Sequence, residues 1–445
     1  MKAPAAGVSI GAMNESDGRV ASAPEDAAQP GATQKRRSRR FDTLVVHGGE
    51  SRAGAKGSGG PEERPPHFPM STPIHASTTF SHADAETSDR ILGGEEDGFG
   101  YARWGNPTVA AFEKALSELE SPSGEARAVA VASGMSAMHA ALTASELSDG
   151  ACVLVAEQIY GSTVTLLLQI FAPMGVEVRF FDATDPEDLR RKLDSLRPRA
   201  VVAETISNPL LRVADIEAMS RATREHGAAL IVDNTFGTPF IQRPLDLGAD
   251  LVVHSATKYL AGHGDLTAGV VVAAPPYDGA VEQIRKTVGY VVDPFGAWLA
   301  LRGLKTLPLR LARQCENARA VAGALLDHPG VSAVHHPALP DHPDRRITER
   351  LLSDTGGLVS FELLSGDREA AFAFLNALDL CVRAPSLGDI YTIASHPTSA
   401  SHRELPPSRR ERIGITEGLI RISCGIEHPE DIVADLRSAL DSLHR

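Results

Sequence analysis

Cysteine is scarce in this sequence. Its 445 residues include four cysteines, Cys152, Cys315, Cys381 and Cys424, and no two of them form a C-x-x-C pair. This spacing excludes the usual patterns of a structural zinc site and of a disulfide framework. Isolated cysteines are typical of proteins in a reducing compartment, and we therefore expect a cytoplasmic location.

The sequence also lacks long hydrophobic runs and an excess of positive charge. No uninterrupted apolar segment could span a bilayer, and the first 30 residues contain no apolar core of signal-peptide length. Lys and Arg number 44 against 57 Asp and Glu, which gives a formal net charge of −13. This balance argues against nucleic acids and anionic membranes as the main partners. We expect a soluble intracellular protein.

Regular periodicity is weak in the N-terminal quarter. Residues 1–40 are rich in Ala, Gly, Ser and Pro and end in K-R-R-S-R-R, a composition that predicts a disordered, basic-tipped tail. Residues 41–107 contain many turn formers, including G-S-G-G-P at 57–61. Because so long an irregular stretch is rarely a free loop in a compact protein, we expect an arm that lies on another surface, such as a neighbouring subunit.

Short apolar runs separated by segments of helix length dominate the rest of the chain. A first helix is predicted to begin at Asn106-Pro107-Thr108, because proline suits a first helical turn. The β-rich runs that follow are residues 128–132, 152–156, 176–181, 200–203, 229–232, 251–253 and 270–273. They predict an α/β fold with a mostly parallel seven-stranded sheet covered by helices. Because the pattern changes near residue 305, we predict a large domain at 108–305 and a smaller C-terminal α/β domain at 306–445.

One lysine follows a predicted strand closely. The stretch V-V-H-S-A-T-K-Y-L-A-G-H-G-D, residues 252–265, places Lys258 beside Ser255, Thr257 and two glycines. Loops at strand ends are where α/β scaffolds present reactive groups, and a lysine beside short hydroxyls can hold a carbonyl as a Schiff base with a phosphate nearby. An ordinary surface lysine would fit the same local pattern. The rest of the chain has to decide between the two.

Three other strand ends carry groups that would suit a planar cofactor with a phosphate. Gly134 begins a predicted helix whose free amides and dipole favour phosphate, although a plain turn would look the same. Asp233 ends a buried strand, where a carboxylate needs a cation or strong donors; helix capping is the alternative. Tyr160 could stack on a planar ring and take part in proton transfer, and core packing is its alternative.

Two arginines are further candidates for binding anions. Arg103 and the nearby Tyr101 lie in the irregular stretch, where they could supplement the grip on a phosphate. Arg421 lies in the alternation L-I-R-I-S-C-G-I and needs an anionic partner if its strand is half buried, whereas a solvent-facing position needs none. The histidines of H-H-P-A-L-P-D-H-P at 335–343 are predicted to lie on a loop, and their spacing predicts no metal site.

Taken together, these segments resemble one enzyme family. Over about residues 41–442 the chain is similar in motif order and spacing to the Cys/Met-metabolism family of pyridoxal-phosphate enzymes. The segments that carry the resemblance are Y-A-R-W-G-N-P-T, S-G-M-S-A-M, Y-G-S-T, E-T-I-S-N-P-L, D-N-T-F, S-A-T-K-Y-L-A-G-H-G-D, S-L-G-D and R-I-S-C-G-I-E. The family includes cystathionine synthases and lyases, methionine γ-lyase and O-acylhomoserine sulfhydrylases. The resemblance implies pyridoxal 5′-phosphate as cofactor and the aspartate-aminotransferase-like fold type I.

The resemblance also implies a role for each candidate. Lys258 would hold the cofactor as a Schiff base and move protons between substrate Cα and Cβ, with Tyr160 stacked on the ring. Asp233 would keep the pyridine nitrogen protonated, and Asn208 would hydrogen-bond the ring hydroxyl. The anion-binding residues would be Gly134, Met135, Ser255 and Thr257 for the phosphate, joined by Tyr101 and Arg103 of a neighbouring subunit, and Arg421 and Ser386 for the substrate carboxylate. Such sharing implies an obligate dimer within a homotetramer.

Departures from the family pattern bear on the substrate. Members that handle cystathionine resemble one another in having a glutamate just before S-L-G, where this chain has Pro385. The G-H-G-D segment looks like methionine γ-lyases, although these usually have cysteine where Ser162 stands, and S-L-G-D-I-Y-T, with Tyr391, lacks the usual E-S. We expect γ-elimination from a sulfur-containing amino acid, with release of a thiol, a 2-oxo acid and ammonia. The alternatives are γ-replacement on an activated homoserine and a cofactor-binding protein with a regulatory role.

Overall fold

The seven predicted apolar runs form one sheet in the computed structural model, which describes residues 40–49 and 69–443. Its strands are β1 Arg127–Val131, β2 Cys152–Ala156, β3 Glu177–Phe181, β4 Ala200–Glu204, β5 Ala229–Asp233, β6 Leu251–Ser255 and β7 Gly269–Ala273. The spatial order is β1-β7-β6-β5-β4-β2-β3. The pairs from β3 through β2, β4 and β5 to β6 are parallel, whereas β7 is antiparallel to β6 and to β1. The predicted mostly parallel sheet is confirmed.

The inner strands of this sheet, such as β2, β4 and β5, are apolar on both faces because helices cover both, whereas the edge strand β3 is partly exposed. In β5, Leu230 and Val232 belong to one hydrophobic core and Ala229 and Ile231 to the other, as the two-residue repeat of a strand requires.

The α-helices are α1 Phe41–His47, α2 Ala85–Gly93, α3 Pro107–Glu120, α4 Gly134–Ala144, α5 Gly161–Leu166, α6 Pro186–Leu196, α7 Ile216–Glu225, α8 Thr238–Ile241, α9 Tyr277–Val288, α10 Pro294–Leu304, α11 Leu307–Leu326, α12 Arg345–Leu351, α13 Arg368–Ala377, α14 Pro407–Arg412 and α15 Pro429–Ser442.

The start of α3 lies where the sequence predicts it. Pro107 is the first helical residue, and the Asn106 side chain accepts hydrogen bonds from the N–H groups of Thr108 and Val109. These bonds satisfy donors that a helix start otherwise leaves free. The predicted tail falls outside the described residues except for Arg40, and so does G-S-G-G-P. Two short helices, α1 and α2, occur in the predicted arm, whose contact with another subunit stays a prediction.

A second sheet follows α11. Its strands are β8 Val331–His335, β9 Leu358–Leu363, β10 Val382–Arg383, β11 Ile393–Ser395 and β12 Leu419–Ser423. The order is β10-β11-β12-β9-β8, which makes β12 the central strand. His335 ends β8, so the predicted loop begins one residue later than expected. Both sheets belong to one compact unit, and the domain boundary near residue 305 stays a prediction.

The parallel strands bring their carboxyl ends to one edge of the large sheet. Glu204 and Asp233, the last residues of β4 and β5, are direct partners in the parallel register. Ligands of open α/β sheets bind outside this edge.

Within the described ranges, no helix has the length and hydropathy needed to cross a membrane, and no group of three or more His, Cys, Asp or Glu side chains is placed to hold a metal ion.

Candidate active site

A cavity of about 360 Å³ lies at this edge. That volume falls within the range of small-molecule sites in proteins. The predicted site residues that line it are Gly134, Met135, Tyr160, Asn208, Asp233, Ser255, Thr257, Lys258 and Arg421. The residues that do not line it are Ser386, Tyr101 and Arg103. Folding therefore brings together groups that are up to 287 positions apart, from Gly134 to Arg421.

Lys258 lies three residues past the end of β6, with most of its side chain buried. Its ammonium group donates a hydrogen bond to the Ser386 hydroxyl at 2.9 Å. Burial and, to a smaller extent, the positive charge of Arg421 lower the pKa of Lys258 to about 8. A lysine with such a pKa is a neutral nucleophile in a useful fraction of molecules near neutral pH.

The lowered pKa predicts a pH dependence that needs no bound cofactor. In the cofactor-free protein, acylation of Lys258 by an amine-directed reagent should rise through a midpoint near pH 8, because only the neutral amine reacts. Mass spectrometry of the labelled peptides measures the modified fraction at each pH, and the exposed Lys114 on α3 serves as the control. A midpoint for Lys258 near the ordinary lysine value of 10.5 would contradict the burial argument.

The start of α4 fits a phosphate. Its first two residues, Gly134 and Met135, line the cavity together with Ser133 and Ser255, and the first N–H groups of a helix have no partner within it. At Gly134 a Cβ atom would lie 2.7 Å from the Ser255 Cβ, so glycine keeps this approach open. The Thr257 hydroxyl also lies here but already donates to the carbonyl of Ala268 and accepts from its N–H.

Two half-buried carboxyl groups, Glu204 and Asp233, lie side by side in the wall of the cavity. The Asp233 carboxylate accepts a hydrogen bond from the Thr235 N–H at 3.0 Å, and burial raises its pKa. Burial and the neighbouring Asp233 raise the pKa of Glu204 well above its usual value. In the described part of the chain, neither carboxyl has a lysine or arginine partner. A protonated ring nitrogen would supply the cation that Asp233 lacks.

Sequence reasoning missed Glu204 as a site residue. The signal was present, because Glu204 precedes T-I-S-N-P-L at the end of an apolar run, as Asp233 does one strand later. Its carboxylate accepts hydrogen bonds from the N–H of Tyr160 at 2.8 Å and from the N–H of Asn208 at 3.2 Å. Tyr160 itself precedes α5 and lines the cavity.

Arg421 is buried on the central strand of the second sheet, with 1% of its surface exposed. One terminal nitrogen donates to the Asn208 side-chain oxygen at 2.8 Å and the other to the Ser386 carbonyl at 3.1 Å. Its Nε has no hydrogen-bond partner among the described residues, and burial lowers its pKa to about 10. A guanidinium held by neutral oxygens alone is suited to an incoming carboxylate. The bond from Asn208 to a ring hydroxyl stays a prediction.

Tyr101 and Arg103 lie away from the cavity of their own chain. Arg103 donates to the Lys286 carbonyl and stands over the Tyr101 ring, 5.7 Å from its centroid. The phenol ring is 38% exposed. Their predicted contact with the phosphate of another subunit is therefore not part of the geometry of this chain and stays a prediction.

The three positions that bear on the substrate, Ser162, Pro385 and Tyr391, differ in where the structure places them. Pro385 lines the cavity, together with Leu387, Ala400 and Ser401. Ser162 does not line it, and Tyr391 is 56% exposed on the surface. Of these three positions, only Pro385 can meet a substrate directly in this chain.

Pyridoxal phosphate carries a phosphate, an aldehyde and a ring nitrogen, and these match the start of α4, Lys258 and Asp233. The fold and the cavity thus define the class, pyridoxal-phosphate-dependent enzymes of fold type I. The model of the family described as Cys/Met metabolism PLP-dependent enzyme matches residues 57–441. The chain belongs to this family, whose cofactor is pyridoxal 5′-phosphate, and the resemblance seen in the sequence is confirmed.

Known relatives are lyases and transferases of sulfur amino-acid metabolism. An L-methionine gamma-lyase of Fusobacterium nucleatum is 40% identical over 377 residues, 84% of this chain and 94% of that protein. A cystathionine gamma-lyase of Bacillus subtilis is 37% identical over 407 residues, 90% of this chain and 99% of that protein. The solved cystathionine gamma synthase of Xanthomonas oryzae pv. oryzae, in complex with cystathionine, is similar with a TM-score of 0.82 and 36% identity, covering 91% of this chain and 98% of that one.

Proposed function

We propose that this enzyme catalyses γ-elimination from a sulfur-containing amino acid and releases a thiol, a 2-oxo acid and ammonia. The observation that carries the proposal is one cavity that combines a half-buried lysine of low pKa with a buried arginine that has no acidic partner among the described residues. Methionine gamma-lyases at 40% identity support elimination as the outcome. Pyridoxal phosphate, when bound, supplies the electron sink for charge that develops at the substrate Cα.

Each of the cavity residues would have a binding or catalytic role that follows from its position. Arg421 would bind the substrate α-carboxylate through its guanidinium, held in place by Asn208 and the Ser386 carbonyl. Lys258 Nζ would take the proton from Cα and then move protons between Cα and Cβ, while Tyr160 would assist proton transfer from its position beside the cavity. Asp233 would stabilise positive charge at the buried floor of the cavity.

The wall formed by Pro385, Leu387, Ala400 and Ser401 bears on the choice of substrate. It contains no charged side chain, so a thioether or thiol side chain can be buried there without an unpaired charge. The second amino and carboxyl groups of cystathionine would find no charged partner on this wall. We therefore favour methionine or homocysteine over cystathionine. The second candidate function is γ-replacement on an activated homoserine, which the likeness to cystathionine gamma synthase favours.

A substrate panel tests the proposal. The enzyme should form 2-oxobutanoate from methionine or homocysteine faster than from cystathionine or O-acylhomoserine, and faster than it forms pyruvate from cysteine, which has no γ-carbon. The Pro385→Glu variant is the matched change, and it should shift the preference toward cystathionine by roughly tenfold, the effect of one charge-assisted hydrogen bond. Assays run with and without added thiol separate the two functions. Thioether formation that exceeds 2-oxo acid release would replace elimination by γ-replacement.

We also propose that two copies of the chain share each active site, within a homotetramer. The position of Tyr101 and Arg103 outside their own cavity supports sharing, and so do the exposed rings of Trp104 and Phe295, 40% and 55% accessible. Exposed aromatic side chains are typical of contact surfaces.

The four cysteines are free thiols, which supports a reducing compartment such as the cytoplasm.

A further inference from the structure

Among the described residues that line the cavity, Glu204 is the one acid that the proposed chemistry does not use. It ends β4 directly beside Asp233, yet it makes different contacts. One carboxylate oxygen accepts the N–H of Tyr160, in the loop after β2, and the other accepts the N–H of Asn208, in the loop after β4. A single side chain thus holds two loops that both line the cavity.

The hydrogen bonds continue from Asn208 to Arg421 on β12. The Asn208 side-chain oxygen accepts from Arg421, and Arg421 also donates to the Ser386 carbonyl. The Ser386 hydroxyl in turn accepts from Lys258. Glu204 therefore belongs to a connected path that runs from Tyr160 through Asn208 to Arg421. Because buried hydrogen bonds are short and directional, a shift of one member displaces the next.

We propose that Glu204 is a positioning residue that couples the Tyr160 side of the cavity to the carboxylate-binding Arg421 through Asn208. The inference rests on the proposed function only in taking Tyr160 as the residue against the cofactor ring and Arg421 as the one that binds the substrate carboxylate. It assigns Glu204 no contact with the reacting atoms. Its effect reaches the cofactor and the substrate through the two loops that it holds.

A carboxyl group is the side chain that this position requires. Both of its oxygens accept hydrogen bonds, whereas an amide would present an NH₂ group to one of the two backbone N–H donors. Glu204→Gln keeps the size of the side chain and removes one acceptor. Glu204→Asp keeps the chemistry but shortens the side chain, so it can reach only one of the two N–H groups. If Glu204→Gln does not fold, the proposal is tested with Glu204→Asp.

Two ligand affinities measure the coupling. The first ligand is pyridoxal phosphate, and the second is glycine, which has an α-carboxylate but no γ-substituent and is followed through the cofactor absorption of the holoenzyme. In Glu204→Gln both affinities should fall by about tenfold, as expected when a buried backbone N–H loses its acceptor. Adding Glu204→Gln to Asn208→Ala should lower glycine affinity little further, because the path to Arg421 is already broken.

Asp250→Asn is the matched control. The Asp250 carboxylate accepts the Leu230 N–H at 2.7 Å at the opposite edge of the same sheet, away from the cavity. This variant should leave both ligand affinities unchanged. If Glu204→Gln and Glu204→Asp lower only the melting temperature and bind both ligands normally, Glu204 is structural and the proposal is wrong. Additive losses of glycine affinity with Asn208→Ala would also overturn it. Neither ligand undergoes γ-elimination, so these results are independent of the substrate panel.

Discussion

Lys258→Ala should lower turnover by at least about 10³-fold, the largest effect expected of any substitution, because in the proposed mechanism this one side chain is both nucleophile and proton carrier. Lys258 is the one lysine among the residues that line the cavity in the described part of the chain. Its low pKa and its bond to Ser386 fit both tasks. Release of the 2-oxo acid measures the loss, and the visible absorption of the bound cofactor should change in the same variant.

Two controls make this expectation specific. Lys114→Ala removes an exposed lysine on α3 and should leave turnover unchanged. Addition of a small primary amine to Lys258→Ala should restore part of the activity, because the cavity left by the side chain can admit a free base. Residual turnover within about tenfold of the unmodified enzyme, with an unchanged cofactor spectrum, would show that another group moves the proton, since general acid–base catalysis alone contributes about 10²–10⁴-fold.

Asp233→Asn should reduce kcat by about 10²–10³-fold, the typical effect of removing a preorganised charge from an active site. The carboxyl group is half-buried, burial raises its pKa, and it lacks a lysine or arginine partner within the described residues. A positive charge on a bound ring would favour the ionised carboxylate and would in turn be stabilised by it. Asparagine keeps the side-chain oxygen that accepts the Thr235 N–H at 3.0 Å, so the fold around β5 should persist.

Separate measurement of kcat and KM distinguishes this role from a structural one. Asp233→Asn should lower kcat and weaken retention of pyridoxal phosphate, whereas its melting temperature without cofactor should stay the same or rise, because a buried charge is removed. Asp233→Glu keeps the charge and should retain more activity than the asparagine variant. An asparagine variant with normal kcat would remove Asp233 from its proposed role.

Short-range signals account for what could be predicted from the sequence. Apolar runs such as Cys152–Ala156 contain short stretches of β-favouring residues, so their strand structure can be predicted from the local sequence. The start of α3 depends on Asn106 and Pro107, which are adjacent in the chain. Motif order identifies the family, because Lys258, Asp233 and Gly134 each occupy a strand end whose neighbours are only a few residues away.

The sequence by itself determined the seven strands of the large sheet, the starts of α3 and α4 and the chemical type of each residue singled out at a strand end. Only the tertiary structure decided that Arg421 is buried, because the alternation around it does not reveal that β12 is the central strand of its sheet. It also decided the pKa of Lys258, which depends on burial and on the distant Arg421. The two N–H groups that donate to Glu204 lie on different loops, and these loops come together only when the strands pair. Burial and charge proximity are properties of packed surfaces, and residues far apart in the chain acquire them only on folding.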